Sequence, residues 1–334
     1  MKNILFNAYW VTEEADGNFK NQIIQRNTNE LTQNGVLIKV AYSSLNYKDA
    51  LSASGNKGVT RRYPHTPGID AAGTVAESNS LEFKPGNLVI VTGYDLGMNT
   101  MGGFGEYINV PAEWVVPLPD GLSLKESMIL GTAGFTAALA MHHLIHCGQK
   151  TEDGPLLVTG ATGGVGSLSV AIASKLGYSV TASTGKSDKK DYLEGLGAST
   201  IVGREDIDDK SGKMLLRPCW AGAIDTVGGN TLATVLKSLK THGNVACCGN
   251  VASPLLNTSV FPFILNGVNL LGVNSATTPM PLRKILWDKL AAEWKPDFKS
   301  IDTKIASLEE LMQNIEKILQ GKITGRVVIE HKSS

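Results

Sequence analysis

Along the front of the chain the apolar positions come in short runs with a period of two. Val36, Ile38, Val40 and Tyr42 alternate with Leu37, Lys39 and Ala41, the pattern of a strand. Leu88-Val89-Ile90-Val91 follows the turn signal Pro85-Gly86, and Tyr107–Val110 and Val115-Val116 are bounded by Pro111, Pro117 and Pro119. Many brief strands divided by Gly and Pro predict a small barrel-like β domain over residues 1–127.

From residue 128 the pattern changes. Met128 to Leu144 reads as a helix weakened by Gly131 and Gly134. Leu156-Leu157-Val158 is then followed by glycines and by Val165, Leu168, Ile172 and Leu176 at helical spacing. Strands are predicted at Tyr178–Ser183, Ile201-Val202, Ala223–Asp225, Val245–Cys247 and Leu270–Val273, with helices at Lys189–Leu196 and Thr231–Leu239. Such alternation predicts an α/β fold: a doubly wound parallel sheet, right-handed and covered on both faces. The tail adds two helices. One opens on the capping box Ser307-x-x-Glu310 and carries Leu308, Leu311, Met312, Ile315, Ile318 and Leu319 as one apolar stripe, before a final strand at Val327–Ile329.

The 334 residues suit about two domains. Lys+Arg and Asp+Glu each number 31, so there is no basic excess for nucleic acid or an anionic membrane. Cys147, Cys219, Cys247 and Cys248 form no Cys-x-x-Cys pair and are expected as reduced thiols in a cytoplasmic chain. The start, Met1 to Asn7, meets a polar residue too soon for a signal-peptide core. No run of about 18 apolar residues is seen, so no membrane span is expected. His142, His143 and His146 lie close together; two imidazoles one helical turn apart can share a metal, or simply line a helix face.

The strongest chemical signal is Gly160-Ala161-Thr162-Gly163-Gly164-Val165-Gly166, between a strand and a helix. A pyrophosphate needs close backbone approach and free amides at a helix N-terminus, and Gly160, Gly163, Gly164, Val165 and Gly166 supply both. The next strand ends in Ser183-Thr184-Gly185-Lys186, where sites for NAD carry a carboxylate. Two hydroxyls and an ammonium suit a 2′-phosphate, so NADPH is the expected cofactor, with Arg204 either along the adenine or solvated. Gly249 and Asn250 follow a strand end that faces the ligand crevice, and Asn274 follows the last apolar strand.

A β domain before a nucleotide-binding domain with this glycine turn resembles the medium-chain dehydrogenase/reductase superfamily over almost the whole chain. The resemblance implies a GroES-like β-barrel catalytic domain, residues 1–127 and 276–334, and a Rossmann NADPH-binding domain, residues 128–275. Zinc-dependent members place a Cys and a Gly-His-Glu segment early; here Ser43–Asp49 and Gly68–Gly73 stand there, and residues 86–112 hold no cysteine. No metal is therefore expected. Ser44–Ala50, Pro67–Asp70, Gly131–Ala137, Trp220–Gly228 and Pro262–Leu265 are similar to the YhdH/YhfP group of zinc-free, NADPH-dependent reductases, labelled quinone oxidoreductases and including acrylyl-CoA reductases.

That resemblance implies the site. Asn46, Tyr47 and Asp49 fall on a loop at the domain interface: Tyr47 as hydrogen-bond or proton donor (or a packed junction residue), Asn46 against the nicotinamide ribose or carboxamide, Asp49 orienting Lys48 or a backbone amide. Thr132 and Thr136 run beside the cofactor, or bond back onto a helix turn. Phe263, Ile264 and Leu265 hold the nicotinamide amide, and Arg326 meets cofactor phosphate or solvent. Charge placement alone nominates Lys57, Arg61 and Arg62 for coenzyme A phosphates, with a solvated loop as the alternative. The expected activity is reduction of an activated C=C, acrylyl-CoA to propanoyl-CoA, with hydride to the β carbon and a proton to the α carbon. A quinone reductase and a non-catalytic NADPH-binding sensor are the alternatives. The expected partners are a small-molecule substrate and, by resemblance, a second copy in a homodimer.

Overall fold

The computed structural model describes residues 3–31 and 35–332; Met1 and Lys2, part of the stretch read above for a leader, lie outside it. The chain forms two compact units, Met1–Thr132 with Ala276–Ala291 and Thr303–Ser334, and Ala133–Ser275 with Ala292–Asp302. The hydrophobic pattern predicts the first change at 127/128. In the fold the chain changes units at Thr132/Ala133, and residues 292–302 return to the second unit.

The first unit begins with β1 (Leu5–Glu13), β2 (Phe19–Asn27), β3 (Val36–Ser44), α1 (Tyr47–Ala53), β4 (Asp70–Ser78), β5 (Leu88–Thr92), β6 (Tyr107–Val110) and β7 (Val115–Pro117). β1 and β2 form an antiparallel pair that the sequence reading did not single out. β3 is central to a seven-stranded sheet, pairing with β4 along nearly its whole length and with β6 along its first half. Both of its faces are buried. Val36, Ile38 and Val40 join Val75, Val89, Val91 and Ile108 in one core, and Leu37 joins Phe6, Ala8 and Tyr107 in another. Fully burying such side chains contributes about 1.5–3 kcal/mol each, which fixes the strand's register.

The chain leaves this unit within α2 (Leu124–His146), which starts earlier than predicted and is broken at Gly131, φ +51°. By length and composition α2 is long enough to cross a membrane, which revises the expectation of no such run. Yet 78% of its apolar window is buried inside the protein's own fold.

The second unit holds β8 (Leu156–Val158), α3 (Gly164–Lys175), β9 (Val180–Thr184), α4 (Lys190–Gly195), β10 (Ala198–Gly203), β11 (Trp220–Asp225), α5 (Gly229–Lys237), β12 (Leu239–Cys247), α6 (Phe261–Asn266) and β13 (Asn269–Gly272). Its six strands are all parallel, in the order β10-β9-β8-β11-β12-β13. This is the predicted doubly wound sheet. The order reverses between β8 and β11, and ligands in such sheets bind outside the carboxyl ends at that point. α5 packs Leu232, Val235 and Leu236 onto Leu157, Ala223 and Val245 of the sheet.

The tail returns as α7 (Met280–Ala291), β14 (Thr303–Ala306), α8 (Leu311–Leu319) and β15 (Arg326–Glu330). β15 pairs with the end of β3, Val328 opposite Ser44. The predicted capping box is half formed. The Glu310 carboxylate accepts from Ser307 N–H at 2.9 Å, but the Glu310 amide donates to the Ser307 carbonyl, and α8 starts only at Leu311. The predicted stripe is also narrower: Leu308, Leu311 and Ile315 are core, whereas Met312 and Leu319 face outward.

Candidate active site

In the second unit β8 ends at Val158, and the turn Thr159–Gly163 leads into α3, capped by Gly163. Its glycines have different reasons. Gly160 has φ +60°, and a Cβ there would run into the Thr226 hydroxyl. A Cβ on Gly166 would run into the Gly160 carbonyl and Ala161. Gly163 is different: its backbone is extended, φ −77°, and a Cβ would meet only the Gly160 oxygen at 3.4 Å. Neither strain nor packing requires glycine there. Bare backbone at the mouth of a helix is what close approach of an anion requires, and the first amides of α3 have no intrahelical acceptor.

The turn is held by a buried carboxylate that the sequence reading passed over. Asp225, at the end of β11, accepts from the Thr159 hydroxyl at 2.7 Å and from Gly228 N–H at 2.8 Å. Burial pushes its pKa up, against the pull of those donors. Thr226 in turn donates its hydroxyl to the Thr159 carbonyl at 2.8 Å. Its signal in the sequence was the Asp-Thr pair at a predicted strand end.

The end of β9 lies beside the turn. The Thr162 and Thr184 hydroxyls are 3.3 Å apart, Thr184 also accepts from Lys186 N–H at 3.0 Å, and the Ser183 hydroxyl reaches the Gly203 carbonyl at 3.4 Å. Lys186 is half-buried. Burial first, then Lys189, holds its pKa below the usual lysine value, while Asp188 acts the other way. Gly185 is packed against the Arg204 guanidinium, since a Cβ there would overlap it. Thr184, Gly185, Lys186 and Arg204 are thus one group at the second strand end, beside the glycine turn.

Other expected residues scatter within this unit. The Thr136 hydroxyl is spent on Ser275 at 2.8 Å. Gly249 is packed against the Thr226 backbone, and Asn250 and Asn274 are exposed. Phe263 packs against the core below β12, while Ile264 and Leu265 are 66% and 60% exposed. The His142 and His146 rings stack with centroids 6.0 Å apart.

In the first unit, β3 and β4 run antiparallel with Ser43 opposite Ala71, which brings Ser44, Asn46 and Asp49 to Asp70. Asn46 caps α1. Its N–H donates to Asp49 Oδ2 at 2.7 Å, and Ile69 N–H donates to Asp49 Oδ1 at 2.8 Å. Asp49 therefore orients backbone amides. Burial, then the charge of Asp70, pushes its pKa up to about 7. Asp70 accepts from the Ser44 hydroxyl at 2.6 Å, Asn46 Nδ2 at 2.8 Å, and both the amide and the hydroxyl of Thr132 at 2.9 and 2.6 Å. Arg326, expected at cofactor phosphate, is 3% exposed and donates to the Ile129 carbonyl at 2.9 Å and to Asn46 Oδ1 at 3.4 Å. Tyr47, by contrast, is 42% exposed at the start of α1. Sequence reasoning missed Asp70 and Ser44, because their value lies in a strand register.

Lys57 is engaged elsewhere, paired with Glu13 at 2.5 Å and lying over the Tyr63 ring at 4.9 Å; Arg61 and Arg62 are exposed.

Two family descriptions match the chain: the alcohol dehydrogenase GroES-like domain over residues 32–120 and the zinc-binding dehydrogenase over residues 164–292. The second name mentions zinc. Among the described residues, however, no group of three or more His, Cys, Asp or Glu could hold a metal ion, and the Asp49 and Asp70 oxygens are taken up by hydrogen-bond donors. The chain is 46% identical over 327 residues to "Putative quinone oxidoreductase YhfP" of Bacillus subtilis (strain 168), covering 98% of this chain and 99% of the other. The crystal structure of that protein with NAD bound superposes with a TM-score of 0.95 at 45% identity, covering 98% of this chain and 100% of the other. Acrylyl-CoA reductase AcuI of Ruegeria pomeroyi is 42% identical over 327 residues, 98% of this chain and 99% of its own. The structure of Escherichia coli K-12 YhdH with bound NADPH superposes with a TM-score of 0.93 at 40% identity, covering 97% of this chain and 99% of the other.

Proposed function

The chain belongs to the zinc-free YhdH/YhfP group of medium-chain dehydrogenases/reductases, and on that premise we propose that it is an NADPH-dependent reductase of an activated C=C bond, converting acrylyl-CoA to propanoyl-CoA in the cytoplasm. The observation that carries the reading is Gly163: a glycine at the mouth of α3 that neither backbone conformation nor packing demands. It leaves the amides of Gly164, Val165 and Gly166 open to a diphosphate. Thr184 and Lys186 then meet a 2′-phosphate, with the Arg204 guanidinium beside them. The solved relatives carry NAD in one case and NADPH in the other. NADPH is favoured here because the β9 end, Ser183–Lys186, has no carboxylate to repel that phosphate.

NADPH, when bound, supplies a hydride to the β carbon of the substrate. The chain's task is to stabilise the charge that then develops on the thioester oxygen. Tyr47, with its exposed phenol beside the fixed Asn46, is the proposed hydrogen-bond donor to that oxygen. The buried Asn46, Asp49 and Asp70, with the half-buried Thr132, set its position rather than touch substrate. The quinone alternative is favoured by the name of the Bacillus subtilis relative.

A direct assay separates them. Purified protein is mixed with NADPH or NADH and with acrylyl-CoA or a simple quinone, and loss of reduced nicotinamide absorbance is followed. Turnover of acrylyl-CoA with NADPH is expected; turnover of quinone alone selects the alternative, and nucleotide binding without turnover of either selects a sensor.

The proposal includes a homodimer. β13 ends the six-stranded sheet, with Asn269, Leu270 and Gly272 exposed, and the preceding α6 exposes Ile264 and Leu265. An open strand edge flanked by apolar side chains is a template for another strand, and two copies related by a two-fold axis would continue one sheet.

A further inference from the structure

We propose that Asp70 is a positioning residue of this reduction: its carboxylate ties the Asn46 side chain and the Thr132 amide and hydroxyl to one anion, and thereby sets the corner that presents Tyr47. The inference rests on the reductase reading above and deepens it, since it concerns how the same site is held.

The geometry carries it. Asp70 is wholly buried at the first position of β4, and four donors converge on it. They come from separate segments: Ser44 from the end of β3, Asn46 from the cap of α1, and Thr132 from just past the break in α2. A carboxylate that collects donors from three segments acts as a cross-link. The break itself serves this contact. Gly131 takes φ +51°, and a Cβ there would collide with the Ser44 hydroxyl and Asp70 Oδ2. A side chain at 131 would push Thr132 away from the anion.

The carboxamide of Asn46 is oriented without ambiguity. Its Nδ2 faces Asp70 Oδ2 at 2.8 Å and Asp49 Oδ2 at 3.2 Å, while its Oδ1 faces Arg326 Nη1 at 3.4 Å. The flipped amide would aim its oxygen at two carboxylates and its N–H groups at a guanidinium. Asn46 is thus held at both ends, and Tyr47 follows it as the first residue of α1. The direction in which that short helix launches the phenol is set by the cap, and the cap is set by Asp70.

Burying carboxylates is a costly way to close a strand end. Each buried ion carries a penalty of several kcal/mol, and apolar residues of similar volume often serve stability as well or better. Perturbed carboxylates concentrate at functional sites, and Asp49 beside Asp70 is pushed up by burial and by that neighbouring charge. The charged groups facing the pair are Arg326 from β15 and Arg283 from α7.

The test is Asp70→Asn, assayed with NADPH and acrylyl-CoA and titrated with NADPH by calorimetry. A misplaced donor should lower kcat by about 100-fold. The acrylyl-CoA KM and the NADPH Kd should each stay within about threefold of wild type, because the nucleotide group described above belongs to the other unit, and a purely structural role would not produce that split. Thr132→Val, which removes one donor and keeps the backbone amide, should lower kcat by about tenfold with the same split. Its combination with Asp70→Asn should be no worse than Asp70→Asn alone. If Asp70→Asn does not fold, Thr132→Val and Ser44→Ala decide by the same readout. Unchanged kcat in these folded variants, or multiplying losses in the double variant, overturns the inference. Failure of the wild type to reduce any acceptor sinks the reductase reading instead, so the two failures are told apart before any variant is made.

Discussion

Gly163 and Gly166 look alike in the sequence and do different things. Gly166 is demanded by the Gly160 carbonyl against it, so Gly166→Ala should lower the melting temperature and nucleotide affinity together. Gly163→Ala has room in the protein itself. It should leave the melting temperature nearly unchanged while weakening NADPH by at least about tenfold, the size of a lost or lengthened charge-assisted contact. Calorimetry beside thermal melts checks both. Lys186→Ala should weaken NADPH by about 10- to 100-fold and leave NADH unaffected, because only the former brings a 2′-phosphate to that ammonium. Equal loss for both nucleotides would remove Lys186 from the phosphate site. At this scale the turn was readable because its chemistry is local, whereas Asp70 was not: its four donors lie 24 to 62 residues away in sequence.

Among the elements, β15 and β3 meet where His331 is sealed in. His331 Nε2 lies 3.0 Å from the Ser43 hydroxyl, and burial holds the imidazole down at about 4, against 6.5 when free. Protonation therefore favours the unfolded chain. The stability this group contributes is complete above pH 6.5 and is lost as the pH falls through 4, about 3 kcal/mol at full extent. Asp49 runs the other way: its carboxyl is raised to about 7, so its contribution is complete below 3.8 and is lost as the pH rises through 7. Melts of wild type and His331→Gln from pH 7 to pH 5 should show a smaller acid loss in the variant, from a slightly lower starting point; parallel curves would exclude His331 as the titrating group. The elements themselves were largely legible, because β3 and α5 repeat apolar residues at the strand and helix periods. α8 shows the limit. Its six-residue stripe was too wide, since Met312 and Leu319 are apolar residues that simply remain outside.

For the molecule as a whole, the sheet order β10-β9-β8-β11-β12-β13 decides two things. It puts the glycine turn at the point of reversal with the Ser183–Lys186 end beside it, and it leaves β13 as an outer strand. The proposed dimer follows from the second. Sedimentation of the wild type should give twice 35.5 kDa, and Leu270→Lys should halve that mass without disturbing NADPH binding. A wild-type monomer at micromolar concentration would remove the dimer from the proposal.

The sequence by itself determined the α/β class, the parallel second unit, the glycine turn between a strand and a helix, and the lack of an acidic residue where NAD sites carry one. All of these are written in neighbouring residues, whose spacing a strand or helix converts directly into position. Only the tertiary structure decided that Arg326 turns inward to Asn46, that Lys57 is held by Glu13, and that Asp49, Asp70, Ser44 and Thr132 form one buried cluster. Those groups meet through strand register and the backbone break at Gly131, and a pairing register has no local signature in the residues it brings together.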